Sequence, residues 1–347
     1  MCKLLAINLL VLSMVVLMNH PTSGGDDPLQ ATFTLQEGQA NSVAFSPEGN
    51  LLVIGDSLGG IFLWEIGGNR PQNTLRGHDE VFEDEEVESV GFAVDGKTLV
   101  SGNLDGTVRL WDTATGKLRA NLSGHKDSVL SVAFSPDGKF LASCSLDGSL
   151  RLRDAADYSM RWDRGGHKDG AFSLAFSPDG KTVAVGCYDS TVKLWDVSSG
   201  VLQSSLDVHV GSVLCLSYSP DSRRLAACGS NTSVVIYDVK EGRLLKKFQG
   251  HRMFKSTGVD GNVEFHSNIG AMQLSPDGKI LASGAEDTNV LLWDVATGKV
   301  KSTLKGHTNR IKSLKFSPDG KLLASGSDDC TVKLWNVPED KDIPQRK

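Results

Sequence analysis

The chain has 347 residues, of which 39% are hydrophobic, and a formal net charge of −6. A negative net charge leaves no basic field over the whole domain, so the composition argues against nucleic acid as a general partner. The 37 glycines suit many short strands joined by tight turns. All-β folds of this length are commonly single domains, and we expect one folded domain here.

The N-terminal segment has the plan of a secretory signal. Lys3 is the only charged residue before Asp26, and Leu4–Met18 is almost entirely apolar. This run is shorter than the ~20 residues that a membrane helix needs, and small residues follow it. We therefore predict that residues 1–24 are a signal peptide cleaved after Gly24, with a retained N-terminal anchor as the alternative. The mature chain is expected to be exported (periplasmic, extracellular or cell-surface), with no membrane span.

The chain contains six cysteines, and no two of them have the Cys-x-x-Cys spacing of a zinc site. Cys2 belongs to the predicted signal, which leaves an odd number of cysteines and at least one free thiol. Cys215 and Cys228 fall on neighbouring strands of one predicted hairpin and can face each other. They are either a disulfide or two small buried thiols, because connectivity does not follow from sequence.

One aromatic position recurs along the chain, and four of its six intervals are 42 residues long. The residues at this position are Trp64, Trp111, Arg153, Trp195, Tyr237, Trp293 and Trp335. Each repeat after the first is preceded by a histidine, and these are His78, His125, His167, His209, His251 and His307. Spacing of this regularity is the signature of a repeat architecture.

The last repeat, Gly306–Asn336, shows what one unit contains. Two runs of alternating apolar and polar residues flank Ser317-Pro318-Asp319-Gly320. Alternation indicates strands. Pro-Asp-Gly between two strands is a hairpin turn, because proline presets its φ and glycine accepts a positive φ. Each unit is therefore predicted to be a small antiparallel sheet.

Gly-His and Trp-Asp pairs recur in register along the chain. They are Gly77-His78, Trp111-Asp112, Trp195-Asp196, Gly250-His251, Trp293-Asp294 and Gly306-His307. With these pairs the chain resembles the WD-repeat family over about residues 31–337. The resemblance implies an all-β fold, a seven-bladed β-propeller with one four-stranded antiparallel blade per repeat. The propeller is predicted to cover residues 25–337, and residues 338–347 are predicted to be a polar C-terminal tail.

The two ends of the chain predict how the ring closes. After Trp335 the last repeat has no fourth strand, whereas every earlier repeat continues. Residues 31–35 alternate like a strand and can supply the missing one, which removes a free sheet edge. We therefore expect the N-terminal strand to close the ring.

Several repeats depart from the common pattern. Val185 replaces the serine of blade 4, Arg153 replaces the tryptophan of blade 3, and blade 5 has Tyr237 and Ala227 at these two positions. Two insertions follow the histidine position, one in blade 2 and one within residues 252–270 of blade 6.

Histidine, serine and aspartate recur together in three blades, and an enzymologist would read them as catalytic triads. By resemblance to the family, the same residues instead form a buried structural hydrogen-bond chain that ends on the tryptophan indole. They are His78, Ser101, Asp105 and Trp111 in blade 2, His251, Ser283, Asp287 and Trp293 in blade 6, and His307, Ser325, Asp329 and Trp335 in blade 7. A nucleophile repeated in three blades is not a catalytic one, so we predict no catalytic residue, metal or cofactor.

The same resemblance places the residue before each turn aspartate on the top face, around the central channel. Leu104, Leu146 and Tyr188 hold this position in consecutive blades. Three large apolar residues in an arc predict an interaction site. The alternative is that a neighbouring loop covers each of them.

The blade 2 insertion, residues 79–88, is an acidic loop beside this arc. We assign Glu83, Asp84, Glu85 and Glu86 to the partner site, where their charge attracts a basic partner. A solvated run of charge and a cation site are the alternatives, although the loop lacks calcium-loop spacing.

The predicted function is a monomeric protein-interaction scaffold that binds a protein or peptide, including a basic one, on the top face. One alternative is a propeller enzyme or metal-dependent hydrolase in the central channel, for which Glu264 and His266 are the candidate pair. Another is an extracytoplasmic binder of a small ligand or polysaccharide. A stiff ring that displays loops loses little entropy on binding, which favours the scaffold.

Overall fold

The computed structural model describes residues 15–17, 28–68, 71–76, 86–252, 254–257, 263–266 and 268–338. Within these ranges the chain forms strands, turns and bends. The described residues include no helix that is long and apolar enough to cross a membrane.

Seven antiparallel sheets, the blades, surround a central channel, and each has at least four strands. The inner strands, which line the channel, are β3 (Ala40–Phe45), β7 (Val87–Phe92), β11 (Val129–Phe134), β15 (Ala171–Phe176), β19 (Val213–Tyr218), β25 (Ile269–Leu274) and β29 (Ile311–Phe316). The second strands are β4 (Leu51–Asp56), β8 (Thr98–Asn103), β12 (Phe140–Ser145), β16 (Thr182–Cys187), β20 (Arg224–Gly229), β26 (Ile280–Ala285) and β30 (Leu322–Ser327).

The outer half of each blade is built from two further strands. The third strands are β5 (Gly60–Glu65), β9 (Val108–Asp112), β13 (Leu150–Asp154), β17 (Thr191–Asp196), β21 (Ser233–Asp238), β27 (Val290–Asp294) and β31 (Thr331–Asn336). The fourth strands are β6 (Pro71–Arg76), β10 (Leu118–Leu122), β14 (Met160–Arg164), β18 (Leu202–Asp207), β22 (Arg243–Gln249), β28 (Val300–Leu304) and, for blade 7, β2 (Leu29–Thr34).

The turn after each inner strand follows from the Ser-Pro-Asp-Gly sequence. In blade 7 the Ser317 hydroxyl accepts a hydrogen bond from the Leu322 N–H at 2.9 Å and donates one to Asp319 Oδ1 at 2.6 Å. Gly320 has a φ of +73°, which residues with a side chain rarely adopt. These turns lie on the bottom face, so every inner strand begins at the opposite face, which we call the top face.

The N-terminal strand β2 closes the ring. It pairs antiparallel with β31, with Ala31 opposite Leu334 and Phe33 opposite Val332. Phe33 is 1% exposed, and its ring centroid lies 4.9 Å from that of Trp64 in blade 1. The inner strands of blades 7 and 1 also pack against each other. The predicted seven-bladed propeller, closed by its N-terminal strand, is confirmed.

Blade 7 has a fifth strand at its outer edge, β1 (Val15–Leu17), which lies within the predicted signal segment. It pairs antiparallel with β2, with Val15 opposite Thr34 and Leu17 opposite Thr32. Cleavage after Gly24 stays a prediction.

The blade 6 insertion forms a small hairpin of its own. Strands β23 (Phe254–Thr257) and β24 (Val263–His266) pair antiparallel. Glu264 and His266, the pair proposed for the enzyme alternative, lie on β24, and their side chains are outside the described part of the structure.

The hydrophobic core lies between neighbouring blades. At the boundary between blades 3 and 4, for example, Leu152 and Trp162 share one buried cluster with Leu174 and Trp195. Because each blade buries both of its faces in this way, the blades stabilise one another around the ring.

Candidate partner-binding face

One hydrogen bond recurs from blade to blade on the top face. The residue before each turn aspartate, or before Asn231 in blade 5, donates its N–H to the carbonyl of the residue just before the inner strand. This bond joins Leu104 to Glu86, Leu146 to Ser128, Tyr188 to Gly170, Ser230 to Ser212, Glu286 to Asn268 and Asp328 to Arg310, at 2.9–3.3 Å. It holds the predicted arc of Leu104, Leu146 and Tyr188 next to the start of the inner strands.

In blade 7 four side chains form a continuous buried hydrogen-bond chain. The Trp335 indole N–H donates to Ser325 Oγ at 2.8 Å, and Ser325 Oγ lies 2.7 Å from His307 Nε2. His307 Nδ1 lies 2.8 Å from Asp329 Oδ2. Burial acts to raise the pKa of Asp329, but the hydrogen bond from His307 and its charge outweigh this effect and hold that pKa well below its usual range.

Blade 6 repeats the arrangement. Trp293 donates to Ser283 Oγ at 2.8 Å, and Ser283 Oγ lies 2.7 Å from His251 Nε2. His251 Nδ1 is 3.1 Å from Asp287. Both serines, Ser283 and Ser325, are completely buried. A substrate cannot reach these two serine hydroxyls, so the arrangement pins the top loop to the blade instead of forming an active site.

In blade 2 the turn aspartate has other hydrogen-bond partners than in blades 6 and 7. The Trp111 indole donates to Ser101 Oγ at 3.2 Å. Asp105, however, bonds to Arg109 at 2.5 Å and to the Thr107 hydroxyl at 2.6 Å. His78 lies outside the described residues, so its predicted place in this chain stays a prediction.

The repeats with altered residues form other contacts. In blade 3, His125 Nε2 lies 2.8 Å from Ser143 Oγ, while Arg153 donates to the Tyr158 carbonyl at 3.0 Å. In blade 5, His209 is exposed at its side chain and has a positive φ of 49°. Blade 3 therefore keeps the contacts of His125 with Ser143 and Asp147 but lacks the indole donor at the end of the chain.

The channel mouth is the opening lined by the second residue of each inner strand. These seven residues are Asn41, Glu88, Leu130, Phe172, Leu214, Gly270 and Lys312. The cavity at this level has a volume of about 300 Å³. It is large enough for one side chain of a partner and lies on the side of the ring where the predicted arc lies.

One side of the channel mouth, on blades 3 to 5, is apolar. Leu130, Phe172 and Leu214 succeed one another there. The Tyr188 ring packs on Phe172 with a centroid distance of 6.0 Å, and Tyr188 remains 54% exposed. A Cβ added to Gly170 would lie 3.1 Å from Leu146 Cδ2 and 3.4 Å from Phe172 Cε2, which places these two side chains together.

The other side, on blades 7, 1 and 2, is polar and charged. Asn41 connects two of its members, because it donates to Glu86 Oε1 at 2.6 Å and accepts from Lys312 Nζ at 2.7 Å. Asp328 bonds to Arg310 and lies 3.7 Å from Lys312.

Glu88 completes the charged side. Burial first, and the negative charge of Glu86 second, raise the pKa of the Glu88 carboxyl, although Lys312 and Arg310 act in the opposite direction. Among the described side chains, none donates a hydrogen bond to this carboxyl.

The structure thus brings Leu146 and Tyr188 together with the channel mouth, and Glu86 into its charged side. Leu104 is half-buried on the next blade. Glu83, Asp84 and Glu85 lie outside the described residues, so their steering role stays a prediction. Sequence reasoning assigned none of the seven residues that line the channel mouth to the partner site. Four of them, Glu88, Leu130, Phe172 and Leu214, follow one another at a spacing of 42 residues, and this spacing was the signal that could have found them.

Among the described residues, no group of three or more His, Cys, Asp or Glu side chains is arranged to hold a metal ion. Beside the channel mouth, the Glu86 carboxylate accepts a hydrogen bond from the Asn41 amide. The described side chains of the channel mouth offer apolar contact and charge to a ligand.

The sequence pattern of the family described as WD domain, G-beta repeat matches the chain in seven segments. The segments are residues 28–65, 69–112, 116–154, 161–196, 200–238, 242–294 and 298–336. The chain belongs to the WD-repeat family. Each matched segment of this WD-repeat protein ends on the third strand of a blade, as the propeller requires.

Three relatives resemble short stretches of the WD-repeat propeller. The chain is 44% identical over 52 residues to Autophagy-related protein 16 of Arabidopsis thaliana, which is 15% of this chain and 10% of the relative. It is 46% identical over 46 residues to General transcriptional corepressor TUP1 of Saccharomyces cerevisiae (13% and 6%). It is 34% identical over 59 residues to Lissencephaly-1 homolog of Monosiga brevicollis (17% and 14%).

These matches cover only a small part of each relative's length. They support a protein-interaction scaffold, as the family match does, and name no partner for this chain.

Proposed function

We propose that this WD-repeat propeller is an exported interaction scaffold that binds a basic peptide segment of a partner protein at the channel mouth. The observation that supports it is the division of the channel mouth into an apolar side and a charged side. A single peptide can place an apolar residue on one side and a cationic residue on the other.

The apolar side supplies the anchor. Leu130, Phe172 and Leu214 come from rigid inner strands, and Tyr188 extends the surface outward with its half-exposed ring. Burial of one apolar side chain of the partner here gains roughly 1.5–3 kcal/mol. Aromatic residues at the centre of an interface commonly carry most of its binding energy.

The charged side selects the sign of the partner's charge. Lys312 and Arg310 are already engaged with Asp328, so the cations of the channel mouth have a carboxylate of their own. Glu88 has a raised pKa because it is buried beside Glu86. A lysine or arginine of the partner would supply the positive charge that Glu88 lacks, and the acidic loop 79–88 would attract it from a distance.

The experiment is a selection of peptides from a displayed random library on the immobilised mature chain, followed by affinity measurement with surface plasmon resonance. We expect enriched peptides that combine lysine or arginine with a large apolar residue. The triple variant Leu104→Ser, Leu146→Ser, Tyr188→Ser should bind them at least tenfold more weakly, with unchanged circular dichroism.

A matched control replaces three exposed apolar residues far from the channel mouth. Val201, Leu202 and Leu244 lie at or on outer strands and are 60%, 42% and 47% exposed. Their replacement by serine should leave the affinity unchanged. Unchanged affinity in the variant of Leu104, Leu146 and Tyr188 would show that the site is elsewhere. Selection of acidic peptides would contradict the proposed preference for a basic partner.

The export part of this proposal rests on the sequence of residues 1–24 alone. N-terminal sequencing of the expressed full chain tests it, and the expected mature N-terminus is Gly25. A product that keeps Met1 and stays in the cytosol would contradict export.

A further inference from the structure

Two cysteines face each other across the first hairpin of blade 5. Cys215 on β19 is directly opposite Cys228 on β20 in the antiparallel register. Side chains of directly opposed residues point to the same side of the sheet, with Cβ atoms roughly 4.5–5.5 Å apart. A disulfide needs Cβ atoms about 3.5–4.5 Å apart, so a small adjustment suffices. Both cysteines are free thiols in the structure.

The two thiols differ in their access to solvent. Cys228 is completely buried, with its Sγ 3.5 Å from the Ile269 carbonyl. Cys215 is partly exposed and donates to the Met272 carbonyl at 3.1 Å. Cys215 also lines the central channel just below the channel mouth, in a cavity of about 370 Å³. A small molecule that enters the channel therefore meets Cys215 first.

The pair also has the division of roles that thiol oxidation needs. The neighbouring Cys228 side chain lowers the pKa of Cys215, whereas burial raises the pKa of Cys228. The accessible sulfur is therefore the one that forms a thiolate, and thiolates are the reactive form of cysteine. The buried sulfur keeps its proton until an oxidised partner is next to it.

We propose that Cys215 and Cys228 are an oxidation site, at which a small peroxide that enters the channel produces a reversible disulfide. The Cys215 thiolate attacks one oxygen of the peroxide, the O–O bond breaks, and the other oxygen leaves as an alcohol or water after taking up a proton. The Cys228 sulfur then attacks the sulfenic acid on Cys215, the S–S bond forms, and water leaves. In total, two thiols and one peroxide give one disulfide, one alcohol or water, and one further water.

Two of the other described cysteines provide contrasts. Cys144 and Cys187 are completely buried on second strands of different blades, and burial raises the pKa of both thiols. Neither has a cysteine opposite it in its own sheet. Both should therefore resist oxidation under conditions that convert Cys215 and Cys228.

Trypsin provides a direct assay, because it cuts after Lys193, Arg223, Arg224 and Lys240. Cys215 and Cys228 then lie in the separate peptides 194–223 and 225–240. The native full chain is treated with hydrogen peroxide, its free thiols are blocked with a maleimide, and the digest is analysed by mass spectrometry. We expect the two peptides to appear linked, and a dithiol reductant to release them.

Three variants test the assigned roles. Cys215→Ser should abolish the link and leave Cys228 as a thiol. Cys228→Ser should leave a sulfenic acid on Cys215 that a 1,3-dione reagent traps. Cys144→Ser should form the link as the unchanged chain does.

A mixture of ¹⁵N-labelled and unlabelled chains shows whether a link lies within one molecule. Linked peptides of mixed label would overturn the proposal, and so would a native protein in which Cys215 reaches the sulfonic acid without any link. The assay uses no peptide partner, so its outcome is independent of the proposed binding function.

Discussion

Blade 4 contains an interrupted hydrogen-bond chain, and we predict that one substitution repairs it. Val185 stands where blades 6 and 7 have Ser283 and Ser325. The Trp195 indole nitrogen and His167 Nε2 are both buried, and neither has a hydrogen-bond partner among the described residues. We therefore expect Val185→Ser to stabilise the protein, because one hydroxyl can serve both atoms.

The expected gain follows from two opposing contributions. Val185 is completely buried, and replacing its methyl groups costs about 2–3 kcal/mol, counting the lost apolar burial and the small cavity. Each buried polar atom that gains a partner recovers about 1–3 kcal/mol. The net stabilisation is about 1–2 kcal/mol, which corresponds to a rise of about 2–4 °C in melting temperature.

The geometry supports a hydroxyl at this position. The His167 and Trp195 ring centroids are 5.6 Å apart, close to the 6.2 Å between His307 and Trp335 in blade 7. In blade 7 the serine hydroxyl bonds to both rings at this separation.

The assay is urea unfolding of three proteins, the unchanged chain, Val185→Ser and Val185→Ala. The alanine variant removes the same methyl groups and adds no hydroxyl, so it isolates the hydrogen bonds. We expect Val185→Ser to exceed Val185→Ala by at least about 2 kcal/mol, and this advantage to fall by about half in a Trp195→Phe background. Equal stability of the serine and alanine variants would refute the argument.

Three further predictions concern stability and charge. Phe33→Ala should lower the free energy of unfolding by about 3–5 kcal/mol, because Phe33 is buried where the N-terminal strand closes the ring. Gln30→Ala, at an exposed position of the same strand, should lower it little. Equal urea midpoints for the two variants would contradict closure by β2. Glu88→Gln should raise the melting temperature at pH 7, because burial raises the pKa of Glu88 and disfavours its ionised form. The same substitution should weaken the binding of basic peptides. A variant that binds them as tightly as the unchanged chain would show that Glu88 is not part of the site. Burial lowers the pKa of His167 to about 4. Below pH ~6.5 the unfolded chain binds a proton on His167 and the folded chain does not. As the pH falls from 6.5 to 4, this difference should lower the free energy of unfolding by about 3 kcal/mol. His167→Asn should abolish this part of the pH dependence, measured by urea unfolding.

Much of the fold could be predicted from the sequence, because every blade except blade 7 is formed by one continuous stretch of the chain. Strand alternation, the Ser-Pro-Asp-Gly turn and the recurring tryptophan all lie within one repeat of about 42 residues, where neighbours in sequence are neighbours in space. The sequence after Trp335 has no fourth strand for blade 7, and this gap predicted that the N-terminal strand closes the ring. The same local logic extends to His307 and Ser325, which lie 2.7 Å apart in the structure and belong to one repeat.

The channel mouth was decided by the tertiary structure alone. Phe172 and Glu88 come from inner strands two blades apart, and only ring closure places them around the same opening. The repeat pattern also did not predict that Asp105 of blade 2 bonds to Arg109, because this contact depends on which side chains lie next to each other in the folded blade. The sequence by itself determined the blade and the number of blades, because those follow from short-range patterns. Which side chains meet across the channel depends on contacts between residues far apart in the chain. The 42-residue spacing marks the equivalent positions of Glu88, Leu130, Phe172 and Leu214 but does not say which residues they contact.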